Sequence, residues 1–448
     1  MNPQLAGAGR KGVTGVKVLI RLPIAAASLG ATALLAFGVL PSAVAQAAAP
    51  TTLYVAQGGV NSGSCPATSP CATITYSLTQ AGADPTIEVS GTIDDHVAVT
   101  APVTITGADA PVGSPAILNG TDTGTDLTIS ETAVTIDDLT IENGSDGDGG
   151  GISNPDGSLT IVGSTISGNS SSNDGAGIFN EGPLTITDST ISGNSAGGGA
   201  GGIYNDFGGT VTITDSTISE NSASSGAGGI IGGSITTGAT IIAGNIGGNC
   251  GGSSGFVDVG YNLTDDATGT ACGFTRATDK VNVSPDLGSL ADNGGLTETM
   301  LPALSSPATD AIPTGTTLNG VSVCPGTDQR GYARPGPGES DCSIGAVEAG
   351  LGSTKVSLGS SANPVTTGVA VTYTATVSPL PGGGTMKFTS DGKAITGCKS
   401  KAVNKTTGKA TCTFTYTTAG IFKIKARYSG NADFAHSTSK ALTETVNP

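Results

Sequence analysis

The chain reads as all-β, a stacked-coil solenoid followed by a β-sandwich. Three observations predict this. Near copies recur as LTIVGSTISGNS from Leu159, LTITDSTISGNS from Leu184 and VTITDSTISENS from Val211, at steps of 25 and 27. Glycine runs end at Ile152, Ile178, Ile203 and Ile230, at steps of 26, 25 and 27. Apolar residues alternate with threonine inside each copy, and helical periodicity is absent. A fixed period of this size marks a solenoid, in which each unit contacts its neighbours in the stack.

The first 45 residues lie outside that pattern. Arg10, Lys11, Lys17 and Arg21 precede an apolar stretch from Leu22 to Leu40, and Ala43-Val44-Ala45 offers a small-x-small cleavage site. Residues 1–45 are therefore expected to be a secretory signal peptide. No later apolar run approaches the ~20 residues that span a bilayer. The mature protein is expected outside the cytoplasm, secreted or at the cell surface.

The mature chain opens with a strand near Leu53–Ala56. A loop closed by Cys65 and Cys71 follows, then a short amphipathic helix over 72–81 and a strand over 86–89. A solenoid needs a covered end, since bare strand edges recruit other chains. The helix is the expected N-terminal cap, within 51–90.

In the repeats, Leu184, Ile186 and Ile191 are apolar, with Thr185 and Thr187 alternating. Val211, Ile213 and Ile218 repeat the pattern, as do Leu159, Ile161 and Ile166, and Val134, Ile136 and Ile141. Short strands with one inward face are expected. Stacking aligns Ile161, Ile186 and Ile213 in an internal ladder, each buried side chain worth roughly 1.5–3 kcal/mol. Asn169, Asn194 and Asn221 recur at one turn. They suit a left-handed backbone and a stacked amide ladder. Phe179 and Tyr204, one coil apart, are expected to stack.

The opening from Leu53 to Ile93 resembles that of secreted right-handed parallel β-helix proteins of the pectate-lyase-like superfamily. The repeats are similar to those of bacterial polymorphic outer-membrane adhesins. Downstream, NGGLTETMLPALSSPATDAI from Asn293 and DQRGYARPGPGESDCSIGAVE from Asp328 resemble the ending of the bacterial choice-of-anchor Q domain family, with DQRG, RP and C-x-IGAVE in order. The resemblances cover about residues 51–349. They imply a right-handed parallel β-helix there and a surface location, without a reaction. Twelve or so coils would make a rod of roughly 50–60 Å.

A second domain is expected over 353–448. Alternating runs at 371–377, 385–388, 410–416 and 421–428 are spaced as in a sandwich. YSGNADFAHSTS from Tyr428 is similar to the end of bacterial Ig-like repeat domains, so the sandwich is expected to be Ig-like.

The eight cysteines fall into four local pairs: Cys65 with Cys71, Cys250 with Cys272, Cys324 with Cys342, and Cys398 with Cys412. An even count in an exported chain reads as disulfides. The last pair is too close in sequence for an immunoglobulin core bridge and is expected to clamp a hairpin. Zinc is disfavoured, because no CxxC occurs and His96 and His436 are the only histidines.

Charge divides the chain. Residues 46–350 hold four basic and 32 acidic side chains, a balance of −28, and residues 353–448 hold 11 basic and three acidic, a balance of +8. Such asymmetry marks modules with different partners. The acidic part repels nucleic acid and anionic lipid. The basic part suits anionic wall polymers, or its lysines are simply solvated.

Related β-helix lyases use calcium and a basic residue, as the resemblance implies. Here no Arg, Lys or His lies between His96 and Arg276, so the repeats carry no basic group of their own. Arginines beside Asp328 or Glu348 are expected to form structural ion pairs. Glycosidase chemistry needs two spaced carboxylates. Asp138, Asp188 and Asp215 share one column, interrupted by Gly163. Solvated side chains, a cation between them and a catalytic pair are the open readings of Asp188 and Asp215, with solvation in front. Asp146 and Asp148, in a glycine-rich turn, are a second calcium candidate, against a plain flexible acidic turn. No catalytic residue is assigned. The expected function is a non-catalytic adhesin-like or structural module. Cell-wall or extracellular polysaccharide, or a host or matrix protein, are the expected partners. A divergent polysaccharide-active enzyme is the alternative.

Overall fold

The computed structural model describes residues 52–448, apart from 109–114, 253–254, 325, 337–338, 351–353, 379 and 432–433. The expected signal peptide lies outside the described residues.

The fold is all-β. Parallel strands stack into a β-solenoid of about seven turns, judged by its seven-stranded face. Register follows the repeat. Leu159, Thr160 and Ile161 pair with Leu184, Thr185 and Ile186, which pair with Val211, Thr212 and Ile213. On the next face Ile166 pairs with Ile191 and Ile191 with Ile218. On the third, Ile152, Ile178, Ile203 and Ile230 align in turn. The leucines, isoleucines and valine of these registers are all buried in one core, while the threonines between them face out. The helix Ile74–Gln80 is N-capped by the Thr73 side chain, and Ile74 within it joins that core.

Corner residues explain the columns. Asp138, Asp188, Asp215 and Gly163 all hold positive φ, between 47° and 58°, which Gly adopts freely and Asp tolerates. A Cβ at Gly163 would overlap Asp138 Oδ1. The interruption of the aspartate column is thus a consequence of the carboxylate beneath it. At the next corner the left-handed residues are Gly168, Gly193 and Glu220, one position before the asparagines. The asparagines do not carry the positive φ that the sequence suggested; they serve as rungs. Asn169 Nδ2 donates to Asn194 Oδ1 at 3.0 Å, and Asn194 Nδ2 to Asn221 Oδ1 at 2.8 Å. Asn221 Nδ2 donates to Asn245 Oδ1 at 3.0 Å. A second buried ladder, Asn154 to Asn180 to Asn205, runs at 2.7 Å per step.

Parallel coiling stops earlier than the sequence suggested, at the strand Lys280–Val281. From there to residue 349 the chain forms short antiparallel pairs and returns along the outside of the coils. The sandwich consists of a three-stranded sheet and a seven-stranded sheet around Tyr373, Phe388 and Tyr428. Lys355–Ser360 and Leu442–Asn447 are strands the sequence pattern did not single out.

The four cysteine pairs form four disulfides. Cys398–Cys412 is not a hairpin clamp. Cys412 pairs with Tyr373 in the three-stranded sheet, whereas the Cys398 carbonyl accepts from Phe388 N of the other sheet. The bridge joins the two sheets.

Candidate functional site

The strands Thr140–Glu142, Thr165–Ser167, Thr190–Ser192 and Thr217–Ser219 aim isoleucine inward and threonine outward. A threonine column facing water would be exposed, yet Thr140, Thr165, Thr190 and Thr217 are all buried. The returning segment covers them. Thr165 Oγ1 donates to Glu298 O at 2.6 Å. Thr190 Oγ1 donates to Gln329 Oε1 at 2.6 Å, and Gln329 Nε2 donates to Thr165 Oγ1 and Thr297 Oγ1, each at 2.9 Å. Thr297 Oγ1 donates to Gly163 O at 2.8 Å, and Ala346 N to Thr217 Oγ1 at 3.2 Å. Residues 297–349 thus form a strap across the solenoid.

The run from Asp328 is legible residue by residue in this geometry. Asp328 accepts from Arg330 N at 2.9 Å and from Arg330 Nη2 at 2.7 Å. Gln329 reaches the threonine column, and Gly331 holds φ of 75° in the turn. Gly345, at φ 98°, lies so near Ile241 that a Cβ would come within 2.7 Å of its Cδ1. Arg330 also donates to Glu348 O at 2.8 Å. The arginines beside Asp328 and Glu348 are buried in ion pairs, as the sequence suggested.

Arg334 does more than the sequence suggested. Its Nη1 lies 3.6 Å from Asp188 Oδ1 and 3.4 Å from Asp215 Oδ1, and its Nε 3.4 Å from Glu348 Oε2. It also donates to the carbonyls of Gly345 and Ser343. The basic group missing from the repeats arrives through the strap, from more than a hundred residues away. Arg334 occupies the place the sequence offered to a cation between Asp188 and Asp215.

One guanidinium faces three carboxylates, and burial disfavours their charge. Burial, and then Asp215 beside it, pushes Asp188 up to about 8, against the opposing pull of Arg334. Burial raises Asp215 to about 7 and Glu348 to about 7, again with Arg334 opposing. Near neutral pH the cluster holds protons on its carboxyls. The Arg334 side chain is 1% exposed and that of Asp188 24%. This is a closed lock with one open edge.

Asp146 and Asp148 are exposed and do not converge. Asp146 accepts from Gly147 N at 2.6 Å and from Thr125 Oγ1 at 3.1 Å, and Asp148 from Asp174 N at 3.1 Å. They cap a corner. Among the described residues, Asp310, Glu339 and Glu348 are the carboxylates close enough to share one ion. Glu348 is already held by Ser343 and Arg334.

Asp126 escaped the sequence reading. It is fully buried, and neither carboxylate oxygen has a hydrogen-bond partner. Burial, and then Glu142, pushes it up to about 8. A Cβ at Gly144 would lie 2.8 Å from its Cγ. Gly144 precedes Asn169 by one coil, and the Asp126 carboxyl also crowds Gly120, where a Cβ would overlap Asp126 Oδ1. Phe179 and Tyr204 stack at 5.8 Å with rings 2° from parallel. An open groove of about 420 Å³ lies between Tyr261, Arg276 and the 316–319 turn.

The sandwich residues 358–447 match the family model of the Bacterial Ig-like domain (group 3). The C-terminal sandwich is an Ig-like domain. No curated protein and no solved structure matches the chain. The strap and solenoid therefore stand on their own geometry, and the Ig-like domain on both geometry and family. Contact between them includes the edge-on pair of Tyr332, in the strap, with Phe434 of the Ig-like domain at 5.9 Å.

Proposed function

We propose that the protein is a non-catalytic binding module displayed outside the cell, of the pectate-lyase-like, choice-of-anchor Q type. One observation carries this reading. The carboxylate pair that could have served catalysis, Asp188 and Asp215, faces Arg334 beneath the strap. A glycoside-cleaving pair must stand open to substrate on both sides of the scissile bond. These two stand one strand apart and under cover, so the polysaccharide-cleaving alternative is not favoured.

Supporting features are the rigid rod of stacked coils, the exposed Thr and Ser of its uncovered faces, and the acidic balance that selects against anionic partners. Four disulfides fit an oxidising, extracellular setting, and no described helix is long and apolar enough to cross a membrane. The ligand class is extracellular: polysaccharide or a matrix protein.

The test is retention of purified protein on immobilised polysaccharides and matrix proteins, with turnover assayed in parallel. Saturable binding without release of sugar ends is expected. Cleavage of any polysaccharide that is lost in Asp188→Asn would overturn the proposal.

A further inference from the structure

One face of the Ig-like domain carries basic side chains in a regular array. Along Gly420–Tyr428 the residues Ile424, Ala426 and Tyr428 are buried, and Lys423, Lys425 and Arg427 point out. Lys387 on the neighbouring strand is exposed and stands directly opposite Arg427. Thr389 stands opposite Lys425 and Thr443 opposite Lys423, and Lys423 Nζ donates to Thr443 Oγ1 at 2.6 Å. No outward position of these three strands holds an acid; Glu444 points into the core. Asp391 lies in the turn at the edge, where it accepts from Lys423 N. Among the described residues none of these four cations is in an ion pair.

We infer that Lys387, Lys423, Lys425 and Arg427 form a docking face for a linear polyol-phosphate polymer. Alternate residues of one strand lie ~6.7 Å apart, so the row presents charges at the interval of a phosphodiester chain with a short polyol in each repeat. Lysine, which makes up three of the four cations, binds phosphate as a point charge. The threonines between the cations supply hydroxyl donors. The outward positions carry no aromatic ring, and single-stranded nucleic acid needs such rings for stacking. That argues for a polymer without bases. The solenoid, with its balance of −28, would be repelled by the same polymer. A polyanionic surface would therefore hold the Ig-like domain and keep the coils away from it. This rests on the binding-module reading and adds an orientation to it.

The test measures binding of the whole protein to immobilised poly(glycerol phosphate), with single-stranded DNA and polygalacturonate as competitors. K387Q/K423Q/K425Q/R427Q is compared with K355Q/K399Q/K405Q/K409Q, which removes equal charge elsewhere on the domain. We expect the first variant to bind about tenfold or more weakly and the second within about twofold of wild type. Wild-type binding should weaken steeply with salt, as for multi-site phosphate contacts. Melting temperatures of both variants should match wild type, which excludes misfolding. Equal losses in the two variants, or equal displacement by DNA or polygalacturonate, would overturn the inference. So would no binding at low salt; if the protein still bound matrix proteins or neutral polysaccharides, the module reading would survive that failure.

Discussion

Thr190 Oγ1 donates to the Gln329 side-chain oxygen at 2.6 Å, across 139 positions of the chain. This bond ties a repeat that is obvious in the sequence to a terminal motif that is not part of the repeat. Through it the outer threonine column becomes a second buried surface. The cost of leaving either partner unpaired in such a place is about 1–3 kcal/mol.

Gln329→Ala should release the middle of the strap. It strips bonds to Thr165, Thr190 and Thr297 at once. An apparent destabilisation of about 3 kcal/mol is expected, with protease sites opening between 282 and 345. Unchanged melting and an intact digestion pattern would show that the strap is held elsewhere.

Stability should fall as pH rises. Asp126, Asp188, Asp215 and Glu348 all bind protons more tightly folded than unfolded. Their contribution is fully present below the unfolded carboxyl values, near pH 4. It is lost as pH passes through about 7 to 8, where the folded groups ionise. The melting temperature should decline from pH 5 to pH 9, and the double substitution Asp126→Asn, Asp188→Asn should flatten that decline. A wild-type curve that rises over this window contradicts the lock as described.

Arg334→Met should be among the most damaging single changes. It leaves Asp188, Asp215 and Glu348 buried together without a counter-charge, a loss of roughly 3–5 kcal/mol at pH 8. At pH 5 the carboxyls are largely protonated, and the loss should shrink. Melting curves at the two pH values check this; an equal loss at both would point to packing instead.

The Asn194 rung should be sensitive to shape and to charge. Its amide donates to Ile166 O at 3.0 Å and to Asn221, while its oxygen accepts from Asn169 N at 3.0 Å. Asn194→Ala should cost about 2–4 kcal/mol, and Asn194→Asp should not rescue it, because a carboxylate cannot donate. Full rescue by aspartate would mean that the amide protons are not used.

Chelator should leave melting unchanged. Arg334 supplies the positive charge between Asp188 and Asp215, and the Asp146 and Asp148 carboxylates cap backbone amides. A calcium-dependent shift in melting of several degrees would restore the calcium reading of those residues.

The coils were legible because the repeat is direct. Leu159, Leu184 and Val211 announce both period and inward face, and their pairing follows from stacking. The amide ladder of Asn169, Asn194 and Asn221 was legible for the same reason; its twin through Asn154, Asn180 and Asn205 recurs as regularly in ISN, IFN and IYN. Arg334 was not legible as a partner of Asp188. Nothing local to either residue encodes a contact made by a strap that turns back. The count of coils failed for the same physical reason, since residues 297–349 turn back over the coils instead of adding to the stack. Asp126 stayed hidden because its burial depends on Gly120 and Gly144 lacking side chains where its carboxyl sits. The Cys398–Cys412 bridge was misplaced because the chain crosses between sheets within a short span.

The most direct test of the strap is a double-mutant cycle on Thr190→Val and Gln329→Leu, read by denaturant unfolding. Each single change strands one buried partner, and the double change removes both. A coupling of about 1 kcal/mol or more is predicted for groups in direct contact. Additive losses, with coupling near zero, would mean that Gln329 does not lie on the threonine column, and the closed lock over Asp188 and Asp215 would fall with it.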